Sequence, residues 1–489
     1  MNGSPRDVIV LGGGVAGIAA AVRLAQRGVK VTLIETRKRL GGRAGSFPNK
    51  DTAPGSYLDQ SQHVLLGCCT NLMDLYERLG VSDRVTWLDR LHFFDKQGHH
   101  DVLSSAPLPA PLHLGPAMLR FGTLTWRDKL AIQRAMLRML RIGVKGRAKF
   151  ADRTFGQWLH EMNQPERAIE RFWAVIVVSA CNLPPGKVSA AVAMQVFQEG
   201  FLAHRRAYLM GVSKVPLVRL YDQAEPIVRA AGGQVMLGQS IERLRFAGGR
   251  ITGVMIENER WLEADAYISA LPFDRLAKIA PPPPEGVADD ARFRWLDKLD
   301  VSPIIGIHLW LDRAVMEWSH MIFVDSPLEW VFRKSEVASG KSQVGSGQPQ
   351  TANRKPQTEQ YLHAVVSAAD AWVDKSQDEI VAMAMSELAA YLPGGAGVPA
   401  IREAKLLRAK VVKEKRATFA AVPGSDAYRP ATCGETANLM LAGDWTATGW
   451  PATMEGATRS GYAAAGALLN ERMLVDDLPA ARITRWLAR

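Results

Sequence analysis

A histidine at residue 63 ends the polar stretch Asp-Gln-Ser-Gln-His, and three apolar residues follow it directly. A histidine at such a border could be a core residue, a metal ligand, or a proton donor beside a buried reaction, because its unperturbed pKa is about 6.5. The histidines and cysteines of the chain show no metal-ligand spacing. The sequence therefore predicts no metal site and leaves His63 as either a proton donor or a structural residue.

A glycine fingerprint follows the first predicted strand. Gly12, Gly14 and Gly17 are spaced G-x-G-x-x-G between the apolar run of residues 7–11 and a helical stretch. The first glycine permits a tight turn, the second lets the backbone approach a pyrophosphate, and the third lets helix and strand pack closely. Glu35 closes the next predicted strand, where an acid binds ribose hydroxyls. Together these features predict a dinucleotide-binding βαβ unit.

The residues after Glu35 narrow the choice of dinucleotide. Arg39, Gly42 and Arg43 lie in an E-x-x-x-R-x-G-G-R run, which resembles the superfamily of flavin amine oxidases and carotenoid desaturases. The resemblance implies that Arg43 approaches the pyrophosphate of FAD. A nicotinamide dehydrogenase has no reason for this extension.

The resemblance continues near the other end of the chain. A predicted strand leads into Gly443 and Asp444, and the aspartate at this position in the superfamily holds the ribityl and phosphate region of FAD. The resemblance also implies that a helix N-terminus directs its dipole at the flavin ring, and that a middle segment receives the adenine. The residues concerned are Thr453, Met454 and Glu455 at the helix, and Ile241 in the middle segment. We expect FAD to bind non-covalently, because no cysteine lies in the C-terminal flavin loop.

A narrower resemblance concerns residues 59–67. Asp59, Gln62, His63 and Gly67 match the D-x-G-Q-H-x-x-x-G stretch of the squalene-associated FAD desaturases, read as hydroxysqualene dehydroxylases, and Ser61 replaces the glycine. The implied reaction, in bacterial squalene and hopanoid biosynthesis, removes the allylic hydroxyl of hydroxysqualene with reduced FAD. Gln62 and His63 take the catalytic positions, and His63 protonates the leaving hydroxyl. The electron donor is unidentified.

Three alternatives stay open. A carotenoid desaturase of the phytoene or dehydrosqualene type would oxidise a similar apolar substrate through the flavin. A flavin amine oxidase is disfavoured because Thr453 stands where those enzymes often have tyrosine. A non-catalytic isoprenoid-binding protein is disfavoured because Glu35, Arg43 and Asp444 are all retained.

These motifs require an α/β fold in which a Rossmann-type FAD-binding domain interlocks with an α+β substrate domain, built on an antiparallel sheet and a helical subdomain. Residues 301–313 and 361–369 have strand composition and should join that sheet. We expect FAD-binding segments at 1–75, 206–275 and 426–489, a helical membrane-facing subdomain at 76–205, and the substrate-domain sheet at 276–425 with a disordered loop at 334–360.

The net charge of +11 suggests an anionic partner. Nucleic acid is disfavoured because no basic motif interleaved with aromatic residues is present. Between residues 125 and 149, basic residues form one stripe of a predicted helix, and apolar residues cover most of the remainder. The stripe is Arg127, Arg134, Arg138, Arg141 and Lys145, and the apolar residues include Trp126, Leu130, Ile132, Met136, Leu137, Leu140 and Val144. Either the helix is buried on its wide face, or it contacts anionic lipid. We expect a cytoplasmic protein associated peripherally with the inner face of the membrane.

Overall fold

The computed structural model describes residues 5–49, 55–280, 290–334, 359–394 and 399–488. The strands are β1 Asp7–Leu11, β2 Lys30–Glu35, β3 Ser46–Pro48, β4 Tyr57–Asp59, β5 Val64–Leu66, β6 Val85–Leu88, β7 Arg90–Phe94, β8 His100–Ser104, β9 Met210–Ser213, β10 Gln234–Leu237, β11 Ile241–Ala247, β12 Arg250–Ile256, β13 Arg260–Leu262, β14 Ala266–Ser269, β15 Val301–Leu311, β16 His320–Phe323, β17 Trp330–Lys334, β18 Gln360–Val366, β19 Leu406–Phe419 and β20 Leu439–Leu441.

The α-helices are α1 Val15–Ala25, α2 Thr70–Arg78, α3 Gly115–Arg120, α4 Trp126–Gly146, α5 Phe155–Glu161, α6 Glu166–Ala168, α7 Val175–Cys181, α8 Ala190–Phe197, α9 Ala224–Ala230, α10 Phe273–Ile279, α11 Gln377–Tyr391, α12 Met454–Leu469 and α13 Arg482–Leu487. Two π-helical segments, Ile169–Ala174 and Gln198–Leu202, continue α6 and α8. Among the described residues, no helix is long and apolar enough to cross a bilayer.

A parallel five-stranded sheet, ordered β10-β2-β1-β14-β20, forms the nucleotide-binding part. Its central strands are buried almost throughout, as expected when a parallel sheet has both faces covered. Helices α1 and α12 pack against each other so closely that a Cβ on Gly461 would lie 2.2 Å from the carbonyl oxygen of Ala16. The sheet therefore gathers strands from the beginning, middle and end of the chain.

A seven-stranded, mainly antiparallel sheet, ordered β19-β15-β18-β17-β16-β7-β8, forms the second part. The strands expected within 301–313 and 361–369 are β15 and β18, which pair antiparallel with His308 opposite His363. The expected fold class is confirmed. The domain boundaries stay a prediction, and of the expected loop at 334–360 only Lys334, Glu359 and Gln360 are described.

The basic helix predicted between residues 125 and 149 is α4, which begins at a capping box between Thr125 and Asp128 and has a kink at Gly143. Its core-facing stripe is Asp128, Ala131, Ile132, Ala135, Met139 and Leu140. Of the two interpretations left open, burial of the whole apolar face does not hold near the ends of the helix, since Trp126, Leu130 and Val144 are 65%, 53% and 56% exposed. The capping box fixes which face of α4 is buried, because it turns the Asp128 side chain towards the core.

Candidate cofactor and substrate site

A cavity of about 470 Å³ in the nucleotide-binding part lies at the carboxyl ends of the parallel strands, where open α/β sheets bind ligands. Twelve of the residues predicted to act in catalysis or cofactor binding line it: Gly12, Gly14, Glu35, Gly42, Arg43, Gln62, His63, Ile241, Gly443, Asp444, Thr453 and Met454.

The glycine turn leaves a cradle of bare backbone in this cavity. A Cβ on Gly14 would meet nothing within 4 Å and would project into open space, whereas a Cβ on Gly42 would lie 2.9 Å from the Cα of Gly14. Gly12 has a φ of +101°, which favours glycine. Gly17 does not line the cavity, because a Cβ there would lie 1.9 Å from the carbonyl oxygen of Gly12. The three glycines thus act as the fingerprint predicts, and the cradle fits a pyrophosphate.

The buried carboxylate of Glu35 borders the cradle. Its Oε2 accepts the backbone N–H of Gly13 at 2.7 Å, and its Oε1 accepts that of Arg37 at 2.8 Å. Each oxygen keeps a lone pair with which to accept a ribose hydroxyl. The position therefore fits the predicted contact.

Arg43 is held at the cavity by two hydrogen bonds from its guanidinium group. Nη2 donates to Asp444 Oδ1 at 2.5 Å, and Nη1 donates to the carbonyl oxygen of Ala417 at 2.9 Å. Arg43 and Asp444, which were predicted to bind the cofactor from the two ends of the chain, are therefore in direct contact. The arginine supplies a positive charge that favours binding of a pyrophosphate.

Besides Gly17, two predicted cofactor residues, Arg39 and Glu455, do not line this cavity. Arg39 points elsewhere, and Arg37, two residues earlier in the same turn, takes the lining position and donates to the carbonyl oxygen of Gly42 at 2.8 Å. Glu455 faces the start of α2, where it accepts the backbone N–H of Leu72 at 2.8 Å and the Nε–H of Arg459 at 2.7 Å. It caps that helix because one helical step from Met454 rotates the side chain away from the cavity.

Ile241 and Thr453 also line the cavity. Ile241 begins β11, and its carbonyl oxygen accepts a hydrogen bond from Arg275 at 3.0 Å. Thr453 is the N-cap of α12, and its hydroxyl accepts the backbone N–H of Gly456 at 3.1 Å. The first turn of α12 therefore directs the positive end of its dipole at the cavity.

The His63 ring is positioned by its own loop. Its Nδ1 lies 3.1 Å from the carbonyl oxygen of Ser61, and because a carbonyl only accepts, Nδ1 carries the proton and Nε2 has the lone pair. Burial lowers the pKa of His63 below 6.5 despite the opposing effect of the Ser61 carbonyl. The imidazole is therefore neutral at pH 7 and suited to accepting a proton. In the described part of the chain, no cluster of three or more acidic, histidine or cysteine side chains could hold a metal.

Gln62 is fixed beside His63 by a lysine that the sequence analysis did not identify. Lys334 Nζ donates to Gln62 Oε1 at 2.9 Å and to Asp59 Oδ2 at 3.3 Å. Lys334 ends β17, so only the pairing of the substrate-domain sheet brings it to this loop. No local signal in the sequence marks this contact.

A second cavity, of about 190 Å³, meets the first at Val64, Ser179, Ala180, Thr453 and Met454. Its lining is almost wholly apolar and comes from strands of both parts and from helices of the 76–205 region. Its two carboxylates are paired, Glu199 with Arg147 and Glu455 with Arg459. Such a cavity accommodates a hydrocarbon and offers no unpaired carboxylate among its described lining residues.

Comparison with known families and sequences gives a consistent result. The model of the family described as "Flavin containing amine oxidoreductase" matches residues 15–469. The 15-cis-phytoene desaturase of Synechococcus elongatus is 28% identical over 473 residues, which cover 94% of this chain and 95% of that protein. A probable zeta-carotene desaturase of the same organism is 25% identical over 490 residues, covering 96% of this chain and 99% of that one.

Solved structures share the fold. An oxidoreductase from Methanosarcina mazei has a TM-score of 0.68 at 17% identity, covering 94% of this chain and 99% of that chain. Putrescine oxidase bound to putrescine has a TM-score of 0.67 at 18% identity, and the match covers 95% of this chain and 99% of that chain. At such identities the likeness concerns the fold alone.

Proposed function

We propose that this chain, which belongs to the family of flavin-containing amine oxidoreductases, desaturates a long isoprenoid hydrocarbon. The protein is an FAD-dependent oxidoreductase, as are the proteins of this family that it resembles. The observation that carries the proposal is the junction at which the apolar cavity meets the cofactor cavity beside Val64, Ala180 and Thr453. The names of the relatives, phytoene and zeta-carotene desaturases, support this alternative over hydroxysqualene dehydroxylation.

Desaturation removes a hydride from one carbon and a proton from its neighbour. Bound FAD, held by Glu35, Arg43, Asp444 and the glycine cradle, supplies the hydride acceptor. His63 lines the cavity in its neutral form, and its Nε2 accepts the proton. The apolar lining keeps water from the carbon that loses the hydride, which prevents hydration of the product.

Dehydroxylation of hydroxysqualene is the second candidate, because the two residues that the narrower resemblance places in catalysis, Gln62 and His63, line the cofactor cavity. That reaction requires an acid near the hydroxyl. The lowered pKa of His63 disfavours its protonated form, so another group would have to protonate the hydroxyl.

The decisive experiment offers both substrates to FAD-loaded protein in liposomes. Oxidised protein receives phytoene and a quinone without oxygen, and pre-reduced protein receives hydroxysqualene. We expect a polyene with at least one additional double bond in the first reaction and no squalene in the second. Squalene without desaturated polyene would establish the second candidate, and neither product would reject both.

We also propose that the protein takes its substrate from an anionic bilayer. The 108–130 surface exposes five large apolar side chains beside the basic residues Arg120, Arg127 and Arg134. The apolar side chains are Leu108, Leu112, Leu119, Trp126 and Leu130, exposed by 37% or more of their area. Lys129 joins the two helices of this surface, since it donates to the carbonyl oxygen of Leu119 at 2.8 Å and lies over the Trp126 ring. Exposed apolar residues with a basic rim suit insertion into anionic lipid.

A further inference from the structure

Two fully buried histidines face each other in the substrate-domain sheet. His308 on β15 lies opposite His363 on β18, and their rings stack with centroids 4.1 Å apart. One step along the same face, Trp310 lies opposite Tyr361, and the Tyr361 hydroxyl lies 2.6 Å from His308 Nδ1. Both histidines are 0% exposed, whereas Tyr361 is half-buried. The row therefore leads from the interior to solvent.

The nitrogens of this pair are unusual for the interior of a protein. Neither ring nitrogen of His363 has a hydrogen-bond partner among the described residues, and His308 Nε2 makes no hydrogen bond of normal geometry there, although the Asp59 backbone lies close enough to raise the pKa of His308. Buried polar atoms are nearly always hydrogen-bonded, to protein or to ordered water. Burial lowers the pKa of His308 to about 4 and that of His363 well below 6.5. Both imidazoles are therefore neutral at pH 7, each with one nitrogen to accept and one to donate.

The inner end of the row reaches the loop that carries His63. A Cβ on Gly306 would lie 3.0 Å from His363 Nε2, 2.8 Å from the carbonyl oxygen of Gln60 and 3.5 Å from the Cα of Ser61. Glycine at 306 thus lets His363 approach the 60–61 backbone. The carbonyl oxygen of Ser61 is also the partner of His63 Nδ1.

Charged groups surround the row from each neighbouring element. Asp59 raises the pKa of His308, while Lys334 and Arg408 lower it. His63 and Lys334 lower the pKa of His363 electrostatically. A positive charge on His63 therefore opposes a second positive charge on His363, so a proton can pass along the row only if each imidazole releases one proton as it takes up another.

We propose that His363, His308 and Tyr361 form a proton route between His63 and solvent, a role that rests on the proposed oxidation. Conversion of CH–CH to C=C sends a hydride to the flavin and a proton to His63 Nε2. His63 then releases a proton to an ordered water beside the 60–61 backbone, and each of the two imidazoles takes up a proton on one nitrogen as it releases one from the other, so that a proton reaches the Tyr361 hydroxyl and passes into solvent. Ordered waters at the unpartnered nitrogens complete the chain of hydrogen bonds. When hydrocarbon fills the apolar cavity, this row of residues gives the proton a path from His63 to solvent.

The test follows protons without requiring turnover. FAD-loaded protein is saturated with squalane, an unreactive hydrocarbon, and reduced without oxygen at pH 7 by rapid mixing with the methyl viologen radical cation, which gives up an electron without releasing a proton. Flavin reduction then takes two electrons and one proton from the medium, and a pH-indicator dye reports the proton. We expect His363→Gln and His308→Gln to slow proton uptake at least about tenfold, and Tyr361→Phe to slow it as well, with flavin content unchanged.

His113→Gln is the matched control, because His113 is also 0% exposed with both ring nitrogens unpartnered among the described residues, but it packs at a tilt against Tyr208, outside the row. It should leave proton uptake unchanged. Wild-type uptake in the glutamine variants would overturn the proposal, and so would equal slowing by His113→Gln. If His363→Gln does not fold, His308→Gln and Tyr361→Phe decide. Because no substrate is converted, failure here is distinct from failure of the proposed oxidation.

Discussion

Arg43 Nη2 lies 2.5 Å from Asp444 Oδ1, although 401 residues separate them in the chain. The pair fastens the turn after β2 to the residues after β20 at the cofactor cavity. Asp444 is almost fully buried, with its side chain 7% exposed, and the side chain of Arg43 is 33% exposed. The ion pair therefore orders an arginine that lines the cofactor cavity, and residues from both ends of the chain are needed to complete the site.

The first prediction concerns FAD retention. Arg43→Ala should raise the Kd for FAD roughly tenfold to a hundredfold, because a charge-assisted hydrogen bond contributes about 1.5–3 kcal/mol. Glu35→Ala should weaken binding similarly through the ribose. Fluorescence titration of apoprotein with FAD measures both. Arg39→Ala is the control, since Arg39 does not line the cavity, and an equal loss in this variant would contradict the assignment of Arg43.

A second prediction is that FAD is held without a covalent bond. Cys68 and Cys69 line the apolar cavity, and no described residue that lines the cofactor cavity is a cysteine. Acid precipitation should release all the flavin into the supernatant. Yellow colour or flavin fluorescence in the washed pellet would contradict this.

The third prediction separates two roles for His63. If His63 is the proton acceptor, the rate of single-turnover flavin reduction by substrate should fall about a hundredfold to ten-thousandfold in both His63→Ala and His63→Gln. Because burial lowers the pKa of His63, wild-type activity should be constant above pH 7 and fall only below pH 6.5. A structural role predicts that glutamine restores most of the activity. Unchanged FAD content in both variants is the necessary control.

A fourth prediction concerns stability in acid. Burial lowers the pKa values of His113, His308 and His320 to about 4. The unfolded chain binds protons at these residues below about pH 6.5, whereas the folded protein does so only near pH 4, so stability falls as the pH is lowered through this range. Each of these histidines should lower the free energy of unfolding by about 2 kcal/mol at pH 5 relative to pH 7.

Denaturant unfolding at pH 7 and pH 5 measures this effect. The variant His113→Gln should lose about 2 kcal/mol less than wild type between the two pH values. An identical loss in both proteins would show that His113 titrates normally in the folded state.

The fifth prediction concerns the 108–130 surface. Co-sedimentation with anionic liposomes should fall with added salt, and should fall strongly in a Trp126→Ser, Leu130→Ser variant, because both side chains are more than half exposed. Each basic residue near the surface adds about 1 kcal/mol, so Arg120→Ala with Arg127→Ala should weaken binding further. Val144→Ser is the control, as it is equally exposed at the far end of α4. Equal binding to neutral liposomes would argue against the basic rim.

The parts of the site that were predictable from sequence depend on local backbone geometry. The roles of Gly12 and Gly14 were predictable because only glycine, which has no side chain, leaves the backbone of the cradle open at these positions. The role of Glu35 was predictable because this residue ends β2. The expectation for Asp444 depended in the same way on the strand before it. The local geometry of such motifs does not depend on how the rest of the chain folds, so their roles can be predicted from sequence.

The parts that were missed depend on side-chain direction and strand register. Arg37 and Arg39 both lie in the turn after β2, and only the turn geometry decides which one faces the cavity. Glu455 is one residue past Met454, yet it caps α2. His308 and His363 meet because β15 and β18 pair in one register, and a shift of one residue would separate them.

The position of β20 at the edge of the parallel sheet has a consequence for biosynthesis. A ribosome releases the glycine turn early, but Gly443, Asp444 and the N-terminus of α12 emerge only after the whole substrate-domain sheet. A nascent chain halted before β20 has no closed cavity in which to retain FAD. We therefore expect FAD to be retained only after the residues that follow β20 have been synthesised, and chains truncated before β20 to lack the cofactor.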